Sequence, residues 1–197
     1  MNTHEKLRRI KPRLLNLLLP LAFAISGQAA DKPLEFSDLT GKAYTPLLAG
    51  EKKAVVLVFV SPFCPTSNAF ASEINRIAAD YAGQIGFYLI EADAGITPTD
   101  VKKHVETMEI KAPVLLDPEQ RLVKLTNAKI TPEAVVLASN GETLYQGRIN
   151  DLYASQTKKL KEPKTHDLRA ALDAIVAGKP VANPTTKAIG CAISALQ

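Results

Sequence analysis

The stretch VFVSPFCPTSNAF, residues 58–70, joins two kinds of local order. Val58-Phe59-Val60 closes the run AVVLVFV from Ala54 to Val60, which is apolar throughout and of strand length. A strand apolar on both of its alternating faces belongs in the middle of a sheet, covered on both sides. Beyond it, Phe70, Ile74, Ile77, Ala78 and Tyr81 recur at spacings of three and four, which predicts an amphipathic helix over 66–81. Cys64 stands at the junction. The first N–H groups of a helix have no partner within it, and its dipole adds positive potential there. Both favour a thiolate, so Cys64 is the candidate nucleophile, with a pKa expected below the ordinary thiol value. Pro65 suits the first helical turn. Ser67 occupies the place where a second cysteine would complete C-x-x-C, and Ser61 precedes Cys64 by one short turn.

Working outward, Gly86-Phe87-Tyr88-Leu89-Ile90 reads as a second buried strand, closed by Glu91-Ala92-Asp93. Thr97 can cap a helix in which Pro98 takes the first turn and which reaches about Glu109. Val114 to Leu116 can form a short strand, and Arg121 to Thr126 a short helix at best. Ala134 to Leu137, the turn Ser139-Asn140-Gly141 and Thr143 to Arg148 make a hairpin. Lys158 to Lys164 reads as a charged, solvated loop, and Thr165 to Ala177 as an amphipathic helix stopped by Gly178-Lys179-Pro180. Early strand–helix–strand order argues a parallel pair, and the hairpin adds antiparallel strands. The fold class is therefore α/β: a central mixed sheet with helices on both faces.

The N-terminus carries Lys6, Arg8, Arg9, Lys11 and Arg13, then an apolar run from Leu14 to Ile25, then small residues up to Ala30. These are the parts of a secretory signal, so residues 1–30 are expected to direct export to a periplasmic compartment. The full chain has 24 Lys+Arg and 20 Asp+Glu; without the leader's five bases and one acid, 19 of each remain. The excess positive charge belongs to the leader and gives no argument for a nucleic-acid partner. The chain has 2 cysteines, Cys64 and Cys191, too few for a disulfide scaffold. A single stabilising bridge and a reactive pair both remain open at this point.

The strand, the motif Ser61-Pro62-Phe63-Cys64-Pro65-Thr66-Ser67, the helix and strand after it, and Ile130-Thr131-Pro132 ahead of AVVL together resemble a thioredoxin-like fold. The resemblance covers roughly residues 34–176. It is nearest to the exported redoxin branch, near the AhpC/TSA-type peroxiredoxins and the cytochrome-maturation oxidoreductases. It implies a cis peptide at Thr131-Pro132 and a substrate groove bordered by Thr131, Pro132 and Phe63. It also implies that Pro65, Thr66, Ser67 and Ser61 support a Cys64 thiolate, with Ser67 offering its hydroxyl. Serine cannot resolve a mixed disulfide. Cys191, in the tail 181–197 beyond a domain at 31–180, is then the candidate resolving cysteine, within one chain or between two. The implied function is thiol–disulfide exchange with protein thiols or disulfides and an unidentified reductant. No cofactor is called for, and the expected state is a monomer or a disulfide-linked dimer.

Three other readings accompany this one. Cys64-Pro65-Thr66, with Ser61 three residues before the cysteine, is similar to the peroxidatic motif of peroxiredoxins, which would make peroxide the substrate. Against that, Leu57 stands where that family has proline, and its peroxide-polarising arginine aligns with Pro132; Arg148 and Arg76 are the remaining candidates. A copper-handling protein would need Cys64, Cys191, His104 or His166, but Val60 stands where the second cysteine of its motif belongs, and both histidines read as solvated. A binding module without catalysis is the third, since a fold does not establish an activity. Glu91 and Asp93 are either proton acceptors or caps for the following loop.

Overall fold

The computed structural model describes residues 32–194. The expected export leader at 1–30 lies outside the described residues. The chain opens with a small antiparallel hairpin, β1 (Phe36–Ser37) and β2 (Ala43–Tyr44), and enters the core as β3 (Ala54–Val60). Helices α1 (Pro65–Ala69) and α2 (Ala71–Tyr81), strand β4 (Ile85–Glu91), α3 (Pro98–Thr107), β5 (Val114–Leu116) and α4 (Arg121–Thr126) follow. Next come β6 (Ile130–Thr131), β7 (Glu133–Ala138), β8 (Thr143–Gly147), the short pair β9 (Tyr153–Ser155) and β10 (Lys158–Lys159), α5 (Asp167–Val176) and β11 (Cys191–Ala192).

The main sheet runs β5-β4-β3-β7-β8. β3 pairs parallel with β4 and antiparallel with β7, and β4 pairs parallel with β5. All seven residues of β3 are buried, and its alternation divides the core. Ala54, Val56, Val58 and Val60 face a cluster with Phe70, Ile74 and Ile77 ahead of and along α2, Val101 of α3, and Leu168 and Leu172 of α5. Val55, Leu57 and Phe59 face a second cluster with Leu115, Leu122 of α4 and Phe36. This is the mixed sheet with helices on both faces that the hydrophobic pattern predicts.

Three details differ from the sequence reading. The helix expected over 66–81 is two helices, with Phe70 between them at φ −94°, ψ −8°. Phe70 is buried in the core, so packing of its ring holds the joint. The charged loop at 158–164 contains β10, paired antiparallel with β9. The region after α5 is also ordered against the domain: Gln146 N–H donates to the Pro184 carbonyl (2.9 Å), and Thr186 N–H donates to the Gln146 carbonyl (3.0 Å). The segment thereby runs parallel beside β8. Gly147 permits this approach: its φ is +154°, and a Cβ there would collide with Thr186.

Asp117 organises the entry to α4. Its fully buried carboxylate accepts the N–H groups of Arg121 (2.7 Å), Leu122 (2.8 Å) and Val123 (3.3 Å). Helix starts leave such donors without partners, and burial makes an unmade bond costly. Asp117→Ala should therefore lower unfolding free energy by about 1–3 kcal/mol. Urea denaturation checks this, and an unchanged midpoint would show that solvent replaces the carboxylate.

Candidate functional site

β3 ends beside two other elements that the site needs. Its register sets Val60 against Glu91 at the end of β4, and Phe59 against Glu133 at the start of β7. The chain leaving β3 therefore emerges between the end of β4 and the Thr131-Pro132 peptide, which is cis. Sites in sheets of this kind form outside the carboxyl ends of the parallel strands.

Cys64 is the N-cap of α1, and Pro65 follows in the first turn. Two contacts act on its sulfur in opposite senses. The Ser67 N–H points at Sγ from 3.4 Å and favours negative charge there, while the Thr131 carbonyl oxygen lies 3.1 Å away and disfavours it. The residue is only 1 % exposed. In the structure the sulfur is not a thiol: Cys64 is joined to Cys191 in a disulfide within the chain, with Cα atoms 5.9 Å apart across 127 residues.

The two serines stitch the loop. Ser61 N–H donates to the Ser67 hydroxyl (3.2 Å), and the Ser61 hydroxyl accepts the Phe63 N–H (3.2 Å). Ser67 thus faces the sulfur with its backbone N–H, while its hydroxyl serves the loop. Thr66 is buried on α1. Thr131 is buried too, and its hydroxyl has no partner among the described residues. Pro132 lines a narrow pocket with Ile189 of the tail and Arg148. Phe63, 66 % exposed, lines a different cleft of about 260 Å³ with Asn68, Lys103, His104 and Met108.

The tail reaches Cys64 as a strand. β11 pairs antiparallel with β6, setting Cys191 against Thr131 and Ala192 against Ile130. Ile193 N–H extends the pairing to the Lys129 carbonyl at 2.9 Å. Asp93 accepts the Ser194 N–H (3.0 Å), and Gln120 Nε2 donates to the Ser194 carbonyl (2.6 Å). Asp93 therefore bonds the tail.

Sequence reasoning missed a buried polar triad behind the loop. The expectation that His104 is solvated is incorrect: it is 5 % exposed, because α3 turns it toward the site. Its Nδ1 lies 2.7 Å from Glu91 Oε1, and its Nε2 lies 2.9 Å from Asn68 Oδ1. Asn68 Nδ2 donates to the Pro62 carbonyl (3.1 Å), which fixes the amide so that Oδ1 accepts from Nε2–H. His104 thereby ties Glu91 to Asn68 behind the loop. Burial raises the Glu91 carboxyl pKa above 4.5, and the hydrogen bond from His104 opposes the rise. The available signal was the spacing of Val101 and His104, which puts both on one side of α3.

The arginines proposed for peroxide are engaged elsewhere. Arg148 bonds both oxygens of Asp167 (2.9 and 3.1 Å), and Arg76 bonds Glu73 (2.7 Å). Among the described residues there is no group of three or more His, Cys, Asp or Glu placed to hold a metal.

A carboxyl whose folded pKa is raised contributes stability that is complete below its unfolded value and lost as pH rises through the folded value. Stability should therefore fall as pH climbs from 4.5 through the raised Glu91 pKa. Glu91→Gln should remove that part of the slope. Thermal midpoints of both proteins across this range test it, and parallel curves would contradict it.

No protein-family model matches the chain, and no curated protein does. Solved structures do. An uncharacterized conserved protein from Geobacillus kaustophilus is similar at 25 % identity and TM-score 0.73, covering 84 % of this chain and 89 % of that one. The exposed lipoprotein thioredoxin Etrx1 of Streptococcus pneumoniae is similar at 17 % identity and TM-score 0.56, covering 74 % and 99 %. A secreted Mycobacterium tuberculosis disulfide oxidoreductase homologous to Escherichia coli DsbE is similar at 20 % identity and TM-score 0.50, covering 74 % and 95 %. These likenesses and the mixed five-stranded sheet show that the chain has a thioredoxin-like α/β fold.

Proposed function

We propose that the protein is an exported thiol–disulfide oxidoreductase whose redox couple is Cys64 and Cys191. The observation that carries this reading is the disulfide between them, seated at the strand–helix junction against Thr131. Ser67 cannot exchange electrons, and Cys191 fills the role its position leaves open. The basic, then apolar leader supports export, as do the secreted and surface-exposed proteins of similar fold.

Cys64 is the attacking sulfur and Cys191 resolves it. In the reduced chain the Cys64 thiolate, with the Ser67 N–H beside it, attacks a partner disulfide: the bond from Cys64 to the partner forms, the partner's own disulfide breaks, and its second sulfur leaves as a thiolate and takes a proton. Exchange is faster when the departing sulfur better bears charge. The Cys191 thiol, once deprotonated, attacks Cys64 Sγ, forms the Cys64–Cys191 bond and releases the partner's first sulfur, which is protonated in turn. Two electrons and two protons pass from the cysteine pair to the partner disulfide. The reverse sequence oxidises a partner dithiol.

Full-length wild type, Cys64→Ser and Cys191→Ser proteins, each offered a dithiol peptide and its oxidised form, test the proposal. Wild type should exchange with both. Either substitution should lower turnover on the order of a hundredfold or more, and Cys191→Ser should accumulate a mixed disulfide at Cys64. Wild-type turnover in Cys191→Ser would contradict the couple, and a folded wild-type protein inert to both peptides would contradict the activity.

A further inference from the structure

The tail shows how an extended chain must be built to place a cysteine on Cys64. The residue before Cys191 is Gly190, buried against the carbonyl of Thr131. A Cβ at this position would lie 2.8 Å from the Thr131 carbonyl carbon, nearer still to its oxygen, and 3.2 Å from Ile130 Cγ2. Backbone at such a distance cannot be accommodated by turning a side chain. The wall is also pinned from behind. Glu133 Oε2 accepts the N–H groups of Lys129 (2.8 Å) and Ile130 (3.2 Å), while its Oε1 accepts Gln146 Nε2 (3.1 Å). On the other side, Gln156 Nε2 donates to the Gly190 carbonyl at 3.0 Å and holds the glycine to the wall.

Positions after the cysteine are read differently. Ala192 is exposed, so the strand leaves that side chain unread. Ile193 packs against the core cluster of Leu115 and Leu122.

We propose that the groove selects partner polypeptides that enter as an extended strand with glycine directly before the reactive cysteine, a free choice after it and an aliphatic residue next. This rests on the exchange reading above and names its substrate class. Thr131 is the gate, Gln156 the clamp on the preceding carbonyl, and the tail an internal occupant carrying the same pattern, Gly190-Cys191-Ala192-Ile193.

The test uses full-length Cys191→Ser, in which the tail is not covalently held, and two peptides, Gly-Cys-Ala-Ile-Ser and Ala-Cys-Ala-Ile-Ser. Each peptide cysteine is activated as a mixed disulfide with 5-thio-2-nitrobenzoate. Release of the coloured thiol reports attack by Cys64, and each rate is divided by that peptide's rate with free dithiothreitol. The glycine peptide should react at least about tenfold faster, the scale of an overpacked contact. Equal rates overturn the gate and leave the exchange reading standing. Release from neither peptide by a folded protein overturns the exchange reading, and the gate with it. In the otherwise unaltered chain, Gly190→Ala should shift Cys64 and Cys191 from the disulfide to free thiols at a fixed dithiothreitol ratio, by about the same factor. An unshifted ratio would overturn the gate on the tail itself.

Discussion

The site depends on where β3 stops being buried. All seven of its residues lie inside the core, so the chain has no freedom until Val60, and Cys64 follows within one turn. Pairing with β4 on one side and β7 on the other then brings Glu91 and Thr131-Pro132 to the same end of the sheet. Side chains from distant parts of the sequence meet because one apolar strand cannot shift register without turning each face of its core the wrong way.

Much of this was legible in the residues. The valine-rich run announced a central strand, and the prolines and glycines around it bounded the next elements closely. The cis peptide at Thr131-Pro132 was expected by resemblance, and the Thr131 carbonyl oxygen lies 3.1 Å from Cys64 Sγ. The joint at Phe70 was not legible, because Phe70 fits the helical period as well as the residues after it do. His104 was misread for a related reason. Its neighbours Lys102, Lys103 and Glu106 are polar, but α3 buries the side that carries Val101 and His104. Local composition describes the exposed side of such a helix and is silent about the other.

The tail was the least legible segment and has the most specific contacts. It has no strong periodicity because it forms no helix and follows no single strand. It runs beside β8, crosses the end of the sheet and pairs with β6, each contact contributed by a few backbone groups. Such a path leaves its signature in small residues: Gly147 and Gly190 each allow backbone to approach where a Cβ would collide. The polar triad of Glu91, His104 and Asn68 supports the same end of the sheet from behind. Through the Pro62 carbonyl it holds the loop that presents Cys64.

The central claim is that the Cys64–Cys191 bond is a working redox couple, as opposed to a structural staple. A redox titration decides between them: the folded, full-length chain is equilibrated over a series of oxidised and reduced dithiothreitol ratios, quenched by alkylation, and followed by circular dichroism in parallel. A working couple predicts one reversible two-electron transition in which both cysteines become accessible while the chain stays folded. A bond that resists reduction until the chain unfolds would contradict the account.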